Sequence, residues 1–405
     1  MKKLLMLGGS PSQVPAIKKA KEMGYYVITC DYLEDNPGHQ FSDEYYNVST
    51  IDKEAVLALA KTLKLDGVVC YAADSGAPTV AYVAEQLGLP AFPYQSVEIL
   101  SNKDLFRSFL NENNFNVPLA IGYATLEEAI VDFHNFKMPV MVKPIDASGS
   151  RGISKINSIE LLQEKVEYAL SFSRAKRFII EEYIEKQGYQ LGVDGFSVNG
   201  HLVFSGIANN HFESKLLNPF LPIGESYPSN LPEHLKYKID NEIQRLINLL
   251  DLKTGPFNVE VQIDNRENIY ILDIGVRNSG DLTQIIKYAD DIDLIKYTIK
   301  AALGEDCSDL TRTEPVGYWS SFLVISEKSG LFKGLEIENE FLKNNIVEID
   351  ALVKYSGNMV KPDEQLGKMV LTFSSMAEML EKMDNMTNWI KIIVEESVFS
   401  DVTNT

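Results

Sequence analysis

The sequence predicts a multidomain chain, α/β at its start and α+β beyond it. Three observations carry this expectation. Over residues 1–95, apolar runs ending in Gly or Asp alternate with helical patterns, which is the order of a doubly wound parallel sheet. From Pro139 onward, pairs of strands at hairpin spacing dominate. After Asp309 the pattern is mixed again, with no internal repeat anywhere. The expected domains are therefore residues 1–95, 96–308 and 309–405, a reasonable division of 405 residues.

The elements follow in order. Leu4–Leu7 is an apolar run ending in Gly8-Gly9-Ser10, too short for a secretory h-region and read as a first strand. Val14, Ile17, Ala20 and Met23 form a helical stripe stopped by Gly24, and Tyr26–Cys30 is a second strand with Asp31 at its end. Tyr45–Val48, a helix capped by Asp52, the strand Gly67–Ala72 and the helix Pro78–Leu87 complete the unit. Ser101 or Asn102 caps a helix through Leu110, and Thr125 caps Leu126–Phe136. Strands are expected at Val140–Pro144, Phe178–Tyr183, Gln190–Val198, His201–Ala208, Phe257–Ile263 and Asn268–Val276, with helices at Ser158–Ser171 and Glu233–Leu250. Asn209–Pro232, rich in Asn and Pro and without periodicity, reads as a long loop; such loops are often lids or binding elements, and a bland surface loop is the alternative. The last segment should hold strands Tyr318–Ile325, Ile346–Val353, Lys368–Ser374 and Trp389–Val394 and a helix Met376–Met386.

Composition narrows the function. Hydrophobic residues at 45% and charged residues at 23% exclude a disordered or fibrous chain. A net charge of -19 and a pI near 4.8 argue against a nucleic-acid partner, so an anionic substrate must meet a local cluster of cations. Three distant cysteines, Cys30, Cys70 and Cys307, form neither a disulfide framework nor a metal motif, which points to a reducing compartment, the cytoplasm. No apolar run is long enough to span a membrane, and the five scattered histidines give no zinc pair.

Two segments carry chemistry. In Val142–Ile153 a strand delivers Lys143, and the Gly/Ser-rich run Ser148-Gly149-Ser150-Arg151-Gly152 follows. Backbone N–H groups of such a loop close on phosphate oxygens while the lysine supplies charge, although the order of a P-loop is absent and an exposed hairpin also fits. In Phe257–Asp264 and Asn268–Arg277, alternation places Asn258, Glu260 and Gln262 on one strand face and Asp273, Gly275 and Arg277 on one face of the next. Pairing Asp264 with Ile269 sets Glu260 opposite Asp273. Facing carboxylates repel and call for a cation, and oxygen ligands near phosphates suit Mg²⁺. A solvated hairpin face is the alternative. Arg177–Ile184 is an apolar strand ending in Glu181 and Glu182; taken alone it reads as an ordinary strand end, and the alternative is that one of these acids meets an adenine amino group while the Tyr183 and Ile184 backbone reads the ring edge. Gly8-Gly9-Ser10 fails as a dinucleotide fingerprint because Ser10 and Gln13 stand where glycines are needed. Asp74, Ser75 and Gly76 are the polar residues nearest the carboxyl end of that sheet.

In this order Asn102-Lys103, the Val142–Gly152 segment, Glu181–Ile184 and the paired acidic strands resemble the ATP-grasp superfamily, which includes carboxylate–amine ligases, biotin carboxylase, carbamoyl-phosphate-synthase-like enzymes and purine ribonucleotide synthetases. The resemblance implies a Rossmann-like pre-ATP-grasp domain, a two-lobed ATP-grasp domain with its flap lobe at about residues 120–187, and a small C-terminal domain. It implies that Lys103 and Lys143 hold ATP phosphates under a flap of Ser148–Gly152, including Gly149 and Ser150. It places Glu181 or Glu182, Tyr183 and Ile184 at the adenine, Gln190 at the ribose, and Glu260 and Asp273 on Mg²⁺ or Mn²⁺. Arg277 would stabilise the phosphorylated intermediate. Two positions depart from the pattern: Gly275 replaces the Asn of Glu-x-Asn-x-Arg, leaving Asn278 or water to supply an oxygen, and Gln190 replaces a glutamate. The implied reaction is ADP-forming ligation of a small-molecule carboxylate to an amine, with His211, Glu213 and Lys215 selecting the substrate. A homodimer is common among relatives. A purine-type synthetase or a formate- or bicarbonate-using enzyme is the alternative on the same scaffold, and a non-catalytic ATP-binding module is the alternative from another class.

Overall fold

The computed structural model describes residues 1–350 and 357–395. The first apolar runs form a parallel sheet, β1 (Lys3–Leu7), β2 (Tyr26–Asp31), β3 (Glu44–Asn47) and β4 (Gly67–Val69), in the order β3-β2-β1-β4. The inner strands β1, β2 and β4 are buried and largely apolar because helices cover both faces, whereas the edge strand β3, Glu-Tyr-Tyr-Asn, is half-exposed. On one face α1 (Val14–Glu22) packs Ile17 and Ala20 against Leu4 and Met6. On the other, α2 (Lys53–Leu63) and α3 (Ala77–Leu87) pack Val56, Ala60 and Val83 against Leu5, Leu7 and Ile28. Two further helices follow, α4 (Tyr94–Ser101) and α5 (Lys103–Glu112). Asn102 is the joint between them: its Oδ1 accepts from the Asp104 and Leu105 N–H groups at 3.0 and 3.2 Å, which caps α5 and fixes the direction of Lys103.

A small antiparallel lobe comes next, with β5 (Ala120–Tyr123), α6 (Leu126–Asp132), β6 (Val140–Pro144), β7 (Ser154–Ile156), α7 (Leu162–Phe172) and β8 (Phe178–Glu182). The strand order is β5-β8-β6-β7, over a core of Val140, Val142, Val166, Phe178 and Ile180. Thr125 caps α6 as the sequence predicted, and Glu128 completes a capping box with it.

The remaining chain builds one large sheet. Its strands and helices are β9 (Gln190–Val198), β10 (His201–Phe212), β11 (Pro222–Tyr227), α8 (Glu233–Leu249), β12 (Gly255–Ile263), β13 (Ile269–Gly275), α9 (Asp281–Asp290) and α10 (Leu294–Ala302). Then come β14 (Tyr318–Ile325), β15 (Gly330–Ile337), α11 (Asn339–Asn344), β16 (Ile346–Asp350), β17 (Met359–Val360), β18 (Gln365–Phe373), α12 (Met376–Met383) and β19 (Ile390–Glu395). Eight strands run in the order β13-β12-β9-β10-β11-β14-β18-β16, so the sheet continues across residue 309 without a break. β15, β17 and β19 form a separate three-stranded sheet. The expected strand at Ile346–Val353 begins as predicted, but Ala351–Val353 lie outside the described residues.

Several elements differ from expectation, among them β7, β15, α4 and α11, which no periodic run announced; three bear on the site. Asn209–Pro232 is not one long loop: β10 runs on to Phe212 and β11 pairs with it, Asn210 opposite Glu225. Buried polar residues (Asn209, Asn210, His211, Ser226) replace the apolar alternation by which a strand is recognised. Second, α9 and α10 were not anticipated; they are only 10 and 9 residues long and are separated by an acidic break. Third, α10 belongs to the first sheet by contact. Ile299, Ala302 and Leu303 join its core, and Lys19 pairs with Asp293 at 3.0 Å. Among the described residues, no helix is long and apolar enough to cross a membrane, and Cys30, Cys70 and Cys307 are all buried and free.

Candidate functional site

A cleft of about 510 Å³ lies between the small lobe and the large sheet, and Asp74 and Ser75 are among the residues that line it. Lys103, at the start of α5, places Nζ 2.8 Å from Asp273 Oδ2 and 3.3 Å from the Ala147 carbonyl. Lys143, on β6, places Nζ 2.6 Å from Glu181 Oε2. The two lysines therefore come to one cleft from different elements, each set against a carboxylate.

Glu260 and Asp273 stand opposite each other across β12 and β13, as the sequence predicted, but by another route. Ile263, not Asp264, pairs with Ile269, and the register shifts between Glu260 and Val261, which leaves Leu272 as an extra residue on β13. The bulge restores the facing acids. It also resets the apolar alternation, so that Ile269, Ile271 and Ile274 all reach the core under α8. Arg107 holds the bulge, its Nη2 donating to the Leu272 carbonyl at 2.7 Å. Burial and the Asp273 charge push the Glu260 carboxyl up. Burial acts the same way on Asp273, but the Lys103 charge and hydrogen bond overcome it and hold that carboxyl down. Gln190 Nε2 donates to Glu260 Oε2 at 3.2 Å, so it sits at the acids. Among the described residues no three His, Cys, Asp or Glu side chains are grouped so as to hold a metal ion by themselves. Two carboxylates beside a cleft lined with cations fit Mg²⁺, which takes one or two carboxylates and fills its other positions from substrate and water.

Arg277 is clasped by Asp74: Nε lies 2.7 Å from Oδ1 and Nη2 donates to Oδ2 at 2.7 Å. Gly275 permits this, since a Cβ there would fall 2.3 Å from Asp74 Oδ1. Gly275→Asn is expected to expel the Asp74 carboxylate and to destabilise the fold by about 1–3 kcal/mol. In an Asp74→Ala background the same change should cost less, which a double-mutant cycle of urea unfolding measures. Equal losses in the two backgrounds would dismiss the close approach as the reason for Gly275.

At the hinge, Glu181 is buried between Lys143 and Arg107, whose Nε lies 3.0 Å from Oε1. Burial would raise its carboxyl, yet the Arg107 and Lys143 charges bring it down to about 2. Glu182 accepts from the Lys137 N–H at 2.9 Å, and the Ile184 carbonyl accepts from Gln262 Nε2 at 2.9 Å. Both acids, Tyr183 and Ile184 line the cleft. Ser148, Gly149 and Ser150 line it too, and Asn218 Nδ2 donates to the Ser150 carbonyl at 2.8 Å.

Residues 136–285 match the family model described as the ATP-grasp domain. The chain thus carries an ATP-grasp domain over these residues. It is 24% identical over 340 residues to the carbamoyl phosphate synthase large chain of Pseudothermotoga lettingae, covering 78% of this chain but only 29% of that relative. Its fold resembles the L-amino acid ligase of Bacillus licheniformis (TM-score 0.79, 21% identity, 98% and 99% of the two chains). It also resembles the phosphoribosylglycinamide synthetase of Anaerococcus prevotii (TM-score 0.75, 22% identity, 97% and 100%).

Within this ATP-grasp scaffold several expected site residues lie away from the cleft. His211 is buried on β10, with Nε2 2.9 Å from Ser226 Oγ and Nδ1 2.9 Å from Asp384 Oδ1. The order Ser–His–Asp is that of a nucleophilic relay, but Ser226 is fully buried and no substrate reaches it. Lys215 lines a separate hollow of about 300 Å³ with Leu216, Phe322 and Asp384. Asn278 is buried and accepts from Thr298 Oγ1 at 2.7 Å. Gly76 is buried, its Cβ position 2.7 Å from Cys70 Sγ, and Gly152 packs beside Phe172 and Pro144. The N–H groups of Gly9 and Ser10 are bonded to Asp31 and Gln13, so the first loop offers no phosphate cradle. Sequence reasoning missed Arg107, whose only signal was a charge beside the apolar Phe106 and Leu110. It also missed Lys186, which lines the cleft and whose ammonium burial pushes down.

Proposed function

We propose that this chain is an ADP-forming ligase that activates a small-molecule carboxylate as an acyl phosphate and joins it to an amine. The observation that carries this reading is the facing pair Glu260 and Asp273 in one cleft with Lys103 and Lys143. Glu260 and Asp273 would hold Mg²⁺ or Mn²⁺, which neutralises charge on the phosphates. Lys103 and Lys143 position the triphosphate as point charges, and the Ser148–Gly152 loop closes over it. The adenine lies along Glu182–Ile184. An oxygen of the substrate carboxylate attacks the γ-phosphorus and ADP leaves; positioning and electrostatics supply most of the rate. The amine nitrogen then attacks the acyl carbon and phosphate leaves, with Arg277 stabilising the oxyanion and loop closure excluding water.

The test is Mg²⁺-dependent release of ADP and phosphate from ATP with pools of acids and amines, run beside Glu260→Gln. Turnover that requires one acid and one amine and is lost in the variant supports the ligase. Release of AMP and pyrophosphate rejects the acyl-phosphate route. Dependence on formate or bicarbonate moves the chain to the purine-type or carboxylase-like reading, and ATP binding without turnover in any pool supports the non-catalytic one.

A further inference from the structure

Gly192, on β9, pairs with Glu260 of β12 on one side and with Ala208 of β10 on the other. Directly paired residues share a sheet face, about 5 Å apart at Cβ. A side chain at 192 would therefore stand beside the Glu260 carboxylate, and none is present. In its place lie Asn210 Oδ1 and Glu225 Oε1, 3.0 and 3.1 Å from the position a Cβ would take. Asn210 and Glu225 are themselves opposite each other in the β10–β11 register.

Both residues have unmet acceptors. Asn210 is 5% exposed and its Oδ1 has no hydrogen-bond partner; Glu225 Oε2 is buried and has none. Burial, with the charges of Asp281 and Asp194, pushes the Glu225 carboxyl well above the usual carboxylate range. Lys368 and Arg277, whose charges act against this, are engaged elsewhere, Lys368 by Asp281 at 3.0 Å and Arg277 by Asp74. Buried acceptors without donors are rare in native folds. What is missing is a compact group that carries several N–H donors and a positive charge, which describes a protonated primary amine.

We propose that Asn210 and Glu225 form a recognition site for a substrate's primary ammonium group, seated over Gly192 one strand from the Glu260–Asp273 pair. The inference deepens the ligase reading and rests on it for the role of the cleft. The ammonium belongs either to the acid that is activated or to the amine that attacks; in the second case the nitrogen gives one proton to the Glu225 carboxylate before its lone pair attacks the acyl carbon.

The test uses the full chain saturated with Mg·ADP and follows thermal stabilisation. One pool holds amino-acid amides, which have the ammonium and no carboxylate; the other holds matching acyl amides without the ammonium. The first pool should raise Tm and the second should not. Glu225→Gln should weaken the response about tenfold or more, as loss of a charged hydrogen bond does. Asn210→Leu should weaken it as well, and Asn210→Asp should keep it. Equal responses to the two pools, no response to either, or a response that survives Glu225→Gln would overturn the site. The shift given by Mg·ADP alone reports the nucleotide reading separately and shows that each variant is folded. If that shift is absent the ligase reading fails, and the two pools are then compared on the nucleotide-free protein. Hydroxylamine trapping separates the sources. Hydroxamate formed only from acids that carry an amino group puts the ammonium on the activated acid. Hydroxamate from simple acids, with Glu225→Gln raising KM for the amine, puts it on the nucleophile.

Discussion

Glu260→Gln should reduce ATP-dependent turnover by about a thousandfold, the scale seen when one charge-stabilising group is removed from a preorganised site. The fold should not suffer. In the protein without metal, Glu260 is a half-buried carboxylate facing a second one, so its charge opposes folding. Gln keeps the shape and an oxygen that accepts from Gln190. Thermal unfolding should therefore give an unchanged or higher Tm without metal, and a smaller increase on adding Mg·ADP. The opposite pattern, a lower Tm without metal and an intact Mg·ADP response, would make Glu260 a structural residue and remove it from the metal site.

Glu181→Gln has the reverse profile. Glu181 is 3% exposed in its side chain and pairs with both Lys143 and Arg107. Removing one member of a buried ionic cluster costs about 3–5 kcal/mol because the remaining charges stay buried without a partner. The effect has a pH signature. The carboxyl is lowered from 4.5 to about 2 on folding, so the unfolded chain binds its proton first as pH falls. The stabilisation is complete above pH 4.5 and is lost as pH drops through about 2. Its full size is about 3 kcal/mol at 1.36 kcal/mol per unit. Urea midpoints measured across that window should fall in the wild type and stay flatter in Glu181→Gln. Parallel curves would show that Glu181 is not the group responsible.

Much of this arrangement was legible in the sequence because it is local. Lys143 and the loop after it share one strand and its turn, and two strands at hairpin spacing suffice to bring Glu260 opposite Asp273. The predicted register was nevertheless one residue off at the turn, and the bulge at Leu272 compensated for the error. A period of two cannot show a bulge, because one inserted residue exchanges the faces without changing composition. What depends on distant segments was not legible. The Asp74–Arg277 clasp joins residues 203 positions apart, and the departure at Gly275 acquires its steric meaning only when Asp74 is seen beside it. β11 was missed for a chemical reason: its sheet neighbours Asn209, Asn210 and His211 are polar and buried, so the usual apolar signal is absent.

The continuity of the eight-stranded sheet has a consequence for dissecting the molecule. β11 is bonded to β10 on one side and to β14 on the other. A chain cut after Leu310 would leave β11 with an open row of N–H and C=O groups beside Ile223 and Tyr227, both buried in the intact sheet. Such an edge is a template for pairing with another copy. Multimers or precipitates of the fragment would then report the wound left by the cut rather than the assembly of the whole chain, and the ammonium site on Glu225 would sit on the exposed strand.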